Sequence, residues 1–202
     1  MTTKPKRSAP APKAAGQDTL RCFGTGDPLY EHYHDIEWGH PVHGEAELLE
    51  RLVLEGFQVG LSWILILRRR EAFREAFHGF DPARLAELTE ADIDRLAQDR
   101  AIVRNRQKIT AAVTNARAVL SLWEAGRTLD QLIWSHCPAE HRRPRTFRDL
   151  KSQSPESTAL ARDLKAAGFR FIGPVTAYAT MQACGLVNDH LVGCPAGDAL
   201  AA

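Results

Sequence analysis

Residues 44–63 read GEAELLERLVLEGFQVGLSW, and their spacing decides the fold. Leu48, Leu52 and Val59 fall on one stripe at three-to-four spacing, the signature of an amphipathic helix. Outward from this stretch the period persists. Ile64, Leu65 and Leu67 begin another helical segment, and Ile109, Val113, Ala116 and Leu120 mark a third. Punctuation agrees with the period. Asp81-Pro82 reads as an N-cap followed by proline at the first helical position, Thr89 with Asp92 reads as a capping box, and Gly126, Gly168 and Gly185 stand where such helices end. No segment alternates with period two between hairpin turns, so the expected fold is all-α. Residues 138–156, with Pro138, Pro144, Pro155 and a basic cluster at Arg142, Arg143, Arg145, Arg148 and Lys151, read as a loop. There is no internal repeat.

The same stretch carries the most informative polar residue. Glu55 shares the stripe of Leu48, Leu52 and Val59, so its carboxylate points where apolar groups are buried, a costly placement unless it is paired or used. Gly56 and Gly60 permit a second backbone or a ligand to approach. Tyr30, Tyr33 and Trp38 lie upstream and Trp63 follows. Flat rings around a buried acid suit a flat heterocycle whose exocyclic amine donates to the carboxylate. Core packing for the rings, and a salt bridge for Glu55, remain open on spacing alone.

Metal-ligand residue types are divided between the two ends of the chain, with Cys22 and His34 near the start and His190 and Cys194, four apart, near the finish. This pattern fits a tetrahedral zinc pin, and it equally fits surface histidines with core cysteines. Cys137 and Cys184 have no such histidine partners and read as small buried thiols. Two hundred and two residues, 44% hydrophobic, suffice for one core. No apolar run approaches the roughly 20 residues of a membrane span, and the start of the chain lacks a secretory signal. The expectation is a cytoplasmic protein without a disulfide framework. Residues 1–20 hold Lys4, Lys6, Arg7 and Lys13 against Asp18, a net +3 that leaves −2 for the rest of a chain of net +1. Their Pro, Ala, Lys and Ser content predicts a disordered basic tail.

Residues 96–109, LAQDRAIVRNRQKI, join two helical patterns through a short turn with a basic end. Amides at the start of the second helix, with Arg104, Arg106, Lys108 and Arg117, have the makings of a phosphate site; a solvated charged helix end is the competing account.

Taken in order, these blocks resemble the 3-methyladenine DNA glycosylase I family of the helix-hairpin-helix superfamily. The matching blocks are Asp27-Pro28-Leu29-Tyr30, Tyr33-His34-Asp35 with Glu37-Trp38-Gly39, Leu54-Glu55-Gly56 with Gly60-Leu61-Ser62-Trp63, and Ile102-Val103-Arg104-Asn105-Arg106 with Lys108-Ile109. Asn115-Ala116-Arg117, Gly168-Phe169 with Phe171-Ile172-Gly173-Pro174, and the run from Met181 to His190 complete the series. The resemblance implies a monomeric helix-hairpin-helix glycosylase that flips 3-methyladenine out of alkylated double-stranded DNA and hydrolyses its glycosidic bond. It implies a helical domain over residues 21–195, with the flexible segment 196–202 after it. It also implies that Cys22, His34, His190 and Cys194 hold one structural zinc, that Glu55 bonds the base and is the candidate catalytic group, and that Tyr33 and Trp63 stack on it. Tyr30 and Trp38 complete the pocket, Leu61 is the DNA wedge, and Arg104, Arg106 and Lys108 contact the backbone.

Two departures stand out. The family commonly has a tryptophan two residues after the first zinc cysteine, whereas this chain reads Cys22-Phe23-Gly24 and is one residue shorter before Asp27, so Phe23 is expected at that wall. Ala101 and Gln107 replace glycines that related hairpins use. No Asp lies between Asp99 and Asp130, and Asp130 reads as a helix-start residue rather than a catalyst. Two other functions compete: a zinc-stabilised DNA-binding protein without activity, and a helical enzyme of free nucleosides or nucleotides that would not bind duplex DNA.

Overall fold

The computed structural model describes residues 21–200, and every regular element among them is helical. The chain runs α1 Pro28–His32, a π-helical turn Tyr33–Glu37, α2 Glu45–Gln58, α3 Trp63–Leu67, α4 Arg70–Ala76, α5 Pro82–Ala86 and α6 Glu90–Leu96. It continues through α7 Arg106–Glu124, α8 Leu129–Trp134, α9 Pro155–Ala166, α10 Pro174–Ala183 and α11 Pro195–Ala199. None of these helices is long and apolar enough to cross a membrane.

Helix α2 lies at the centre. Leu48, Leu49, Leu52, Val53, Leu54 and Phe57 are buried on it, and it packs against α7, α8 and α10. Each such side chain contributes roughly 1.5–3 kcal/mol by area removed from water, before entropy is charged. Phe57 continues into an aromatic core with Phe73, Phe77 and Phe80, in which successive ring centroids lie 4.7, 5.9 and 5.6 Å apart. Val59 departs from the expected stripe: the helix ends at Gln58, and Val59 is 51% exposed.

The local signals mostly hold. Asp81 accepts from Arg84 N–H, Thr89 and Asp92 form the capping box, and Gly126, Gly168 and Gly185 follow their helices with φ of 69, 98 and 77°. At Gly185 the choice is forced, since a Cβ there would stand 2.5 Å from the backbone of His40. Asp130 serves the start of a helix, as expected. Its carboxylate accepts from Gly44 N–H just before α2, while Glu45 at the start of α2 accepts from Leu129 and Asp130 N–H at the start of α8. The two helix starts thus cap each other.

Two further expectations are corrected. Cys137 is exposed rather than buried, because it lies in the turn after α8. The segment expected to be flexible from residue 196 begins within α11, where Gly197 is buried so tightly that a Cβ would stand 2.3 Å from His190 Cβ. Within the loop at 138–156, which also holds a short turn at Phe147–Asp149, Arg143 donates to the carbonyls of His190, Leu191 and Cys194 and to Asp198, so it pins the last segment. The basic tail expected at 1–20, and residues 201–202, lie outside the described residues.

Candidate functional site

A cleft of about 200 Å³ is lined by Phe23, Tyr30, Tyr33, Trp38, Glu55, Gln58, Trp63, Ala179 and Gln182. The five pocket residues expected from sequence therefore converge. Phe23 takes the wall where the family pattern has tryptophan, with centroids 5.0 Å from Tyr30 and 4.9 Å from Trp38. Tyr33 and Trp63 are 5.2 Å apart at 45°, in contact, so they form one angled wall with no gap for a ring between them. A larger cleft of about 440 Å³ near Leu122, Leu132 and Ala167 has neither aromatic walls nor a buried acid.

Glu55 is 6% exposed and makes no hydrogen bond or ion pair among the described residues. Burial pushes its carboxyl up to about 8, with the charge of Arg51 working in the opposite direction. Burial, together with any negative charge on Glu55, raises the Tyr30 and Tyr33 hydroxyls, which therefore stay neutral. The Trp63 indole N–H is buried without a partner. A pocket with an unpaired acid between aromatic rings is prepared for a flat, polar-edged guest. Gln58, Ala179 and Gln182 were not foreseen. Nothing in their local spacing distinguishes them, and only the packing of α10 on α2 brings Ala179 and Gln182 to the cleft.

Behind this cleft, Cys22, His34, His190 and Cys194 bring their ligand atoms within 4.8 Å of one another, all buried. Cys194 Sγ lies 3.5 Å from His190 Nδ1 and 3.7 Å from His34 Nε2, and Cys22 Sγ lies 3.8 Å from His190 Nδ1. The sulfur-to-nitrogen edge of a tetrahedral zinc site with its usual bond lengths is about 3.6 Å, so the donor set fits such an ion. The outer ring nitrogens are also held: His34 Nδ1 is 2.7 Å from Asp35, and His190 Nε2 is 2.9 Å from the Trp38 carbonyl. Arg21 in turn clamps Asp35. Burial lifts the Cys22 thiol to about 11 and lowers His190 to about 4; a cation among them would draw the thiols toward the thiolate.

The π-helical turn links the two sites. Its wide pitch sends Tyr33 to the cleft, the next residue His34 to the Cys/His cluster, and Glu37 to Arg51 and Arg70.

The basic turn between α6 and α7 separates into parts. Lys108 is 9% exposed, and its ammonium donates to the Phe57 and Val59 carbonyls at 2.9 and 2.7 Å, satisfying the end of α2. In this position the ammonium is turned to the carbonyls of α2 rather than to solvent, unlike the phosphate contact expected from sequence. Arg106 is half exposed and engaged by Glu90 and Asp94, and Arg117 donates to the Ala86 and Leu88 carbonyls. Arg104 is exposed, with no hydrogen bond or ion pair among the described residues. Leu61 is 37% exposed, at the tip of the turn opened by Gly60, whose φ is 82°. Gly56 faces the backbone of Phe171, whose oxygen would be 3.8 Å from a Cβ there.

Comparison with known proteins follows this geometry closely. The family model for methyladenine glycosylase matches residues 23–197. DNA-3-methyladenine glycosylase 1 of Escherichia coli (strain K12) is 46% identical over 178 residues, covering 86% of this chain and 95% of that protein. The crystal structure of a 3-methyladenine DNA glycosylase I superposes with a TM-score of 0.84 at 44% identity, covering 87% of this chain and 98% of the other. A variant of 3-methyladenine DNA glycosylase I crystallised in complex with 3-methyladenine superposes with a TM-score of 0.81 at 36% identity, covering 86% and 94%.

Proposed function

The chain belongs to the methyladenine glycosylase family, and on that premise we propose how this cleft carries out the family's reaction. The protein is a DNA-3-methyladenine glycosylase of base-excision repair, which hydrolyses the bond between 3-methyladenine and deoxyribose in alkylated DNA and leaves an abasic site.

Alkylation at N3 gives the purine a positive charge, so the bond to C1′ is weakened and the departing base leaves neutral. Water supplies oxygen to C1′ and loses a proton to solvent, while the electron pair of the broken C1′–N9 bond returns to the ring. Recognition then matters more than acid catalysis. The observation that carries this reading is the buried, unpaired Glu55 carboxylate among Tyr30, Tyr33, Trp38, Trp63 and Phe23. Ionised, it accepts from the exocyclic amine and balances the charge of the ring, a charge-assisted bond that a neutral adenine does not strengthen. The aromatic walls favour the same cation.

The base reaches the cleft by flipping, which costs a few kcal/mol, and Leu61 at its exposed turn is suited to fill the space left in the stack. Helices α6 and α7 with their basic turn serve as the hairpin; Arg100 and Arg104 are exposed cations on it without a partner among the described residues, and the neighbouring amides complete a sequence-independent grip on duplex DNA. Cys22, His34, His190 and Cys194 would hold one zinc, which would supply rigidity rather than chemistry by tying the two ends of the domain behind Tyr33 and Trp38. The cleft is complete within one chain, which supports action as a monomer.

Chromatography of bases released from methylated DNA tests the proposal. Enzyme-dependent release of 3-methyladenine, with adenine retained, is the expected outcome; duplex binding without release would favour a DNA-binding protein that has lost the activity.

A further inference from the structure

Glu55 stands beside more positive charge than its surroundings neutralise. Arg51 precedes it by one turn of α2, so the two side chains leave the same face of the helix. The Arg51 side chain is 12% exposed. Its Nη2 donates to Glu37 at 3.0 Å, while Nη1 is buried without a hydrogen-bond partner. Glu37 does not depend on it, because Arg70 already bonds both oxygens of that carboxylate. Glu50, the other carboxylate that acts on Arg51, is bonded through both oxygens by Arg74. Three guanidinium groups therefore face two largely buried carboxylates. Glu71 also bonds Arg74, but from a position 81% exposed, where water and salt screen it. One positive charge is left over, and two acids stand one turn away without a partner among the described residues: Glu47, which is exposed so that water and salt screen it, and Glu55, which is buried and feels the charge in full.

We propose that Arg51 is a positioning residue for base selection, whose uncompensated charge favours the ionised form of the Glu55 carboxylate and so offsets part of the cost of its burial. The inference rests on the recognition role of Glu55 given above. The other groups facing Glu55 cannot do this. The Tyr30 and Tyr33 hydroxyls, from the first helical elements, and the Cys184 thiol, at the end of α10, are all raised by burial and stay neutral. Gln58, Gln182 and the Trp63 indole carry no charge. Burial raises the Glu55 carboxyl and Arg51 lowers it, so loss of Arg51 moves its titration upward and reduces the charged fraction near neutrality.

The test is single-turnover excision of 3-methyladenine from alkylated duplex DNA between about pH 6 and 10.5, corrected for spontaneous release. The charge on the substrate comes from alkylation, so a rising limb that Glu55→Gln removes reports on Glu55. Arg51→Met should move the midpoint of that limb upward by about one pH unit, slow excision about 10-fold below it, and recover the wild-type rate above it. Arg51→Lys should retain most of the wild-type profile. Infrared titration of the carboxyl band lost in Glu55→Gln reads the same shift in free enzyme, and Arg51→Gln carries both measurements if the methionine variant fails to fold.

A uniform loss of rate at every pH, with the midpoint unmoved, would make Arg51 a structural brace for Glu37 and overturn the proposal. A limb that is present but insensitive to Arg51 defeats this inference alone. A wild-type profile with no limb that Glu55→Gln removes defeats the recognition role of Glu55 and this inference together.

Discussion

The Cys/His cluster and the aromatic cleft share a wall, yet their polar atoms are treated in opposite ways. In the cluster, His34 and His190 each have one ring nitrogen directed at sulfur and the other held by Asp35 or by the Trp38 carbonyl. In the cleft, Glu55 has no partner and the Trp63 indole N–H has none. One region is finished by the fold; the other waits for a guest. Stability is invested where polar groups are satisfied, and function lies where they are left open. The π-helical turn and Trp38 belong to both regions, so the rigidity of the first sets the geometry of the second.

The largest expected effect follows from breaking the finished region. Replacing Cys194 with Ala, or stripping metal with a chelator, should remove the ion and lower stability by more than about 5 kcal/mol, since apparent binding energies of structural zinc reach about 10–16 kcal/mol. Thermal unfolding with and without chelator measures this. Elemental analysis of protein purified without added metal should find one zinc per chain, and a folded, active sample with far less would end the zinc assignment.

Next in size is the open region. Glu55→Gln preserves shape and removes charge, so loss of one charge-assisted bond should slow excision about 10- to 100-fold while zinc content is unchanged. Stability should move the other way. Burial raises the folded carboxyl to about 8 from its ordinary value of 4.5, so between those values the native state binds more protons than the unfolded state and stability falls as pH rises. The glutamine variant lacks that fall, so relative to wild type it should gain about 3 kcal/mol between pH 5 and pH 8. Urea denaturation at the two pH values reads it, and parallel pH dependence of the two proteins would place Glu55 outside the buried cleft.

The contrast also explains what was legible in the sequence. Caps and helix-ending glycines are local, so Asp81, Thr89 and Gly168 announced their roles without the fold. The stripe through Leu48 and Leu52 announced that Glu55 turns inward, because helical period alone fixes which residues share a face. The aromatic residues were legible as a group but not in arrangement. The family resemblance, not spacing, brings Tyr33 and Trp63 together near Glu55, and only their 5.2 Å contact shows one wall rather than a sandwich. Charge was least legible. Lys108 and Arg104 stand four residues apart in the same basic run, and one is buried on the carbonyls of α2 while the other is exposed. That difference is tertiary, and no local pattern carries it.

Lys108→Met sharpens this point. The apolar stem remains but the ammonium no longer satisfies the Phe57 and Val59 carbonyls, so stability should drop by about 1–3 kcal/mol. The turn that bears Leu61 should loosen, and excision should slow with it. The salt dependence of binding to undamaged duplex should keep its slope, because the lost charge faced no phosphate. A flattened slope in a stable variant would return Lys108 to the DNA face.

The smallest effect is expected at Arg104, where the comparison between closed and open regions extends to the surface. This side chain is exposed, without a partner among the described residues, so it contributes almost nothing to the folded state. What it offers is a charge free to replace a counterion on the DNA backbone at the turn before α7, and Arg106, held by Glu90 and Asp94, offers less. Arg104→Ala should therefore leave thermal stability within about 0.5 kcal/mol of wild type. Affinity for undamaged duplex should weaken by a few-fold, to the same extent across sequences, and the slope of log affinity against log salt should decrease by about one. Excision at saturating enzyme should be unchanged, since the contact grips substrate and product alike and does not distinguish the transition state. An unaltered slope with Arg104→Ala, and a reduced one with Arg106→Ala, would show that the ion pairs of Arg106 open on DNA and that the exposed arginine is the bystander.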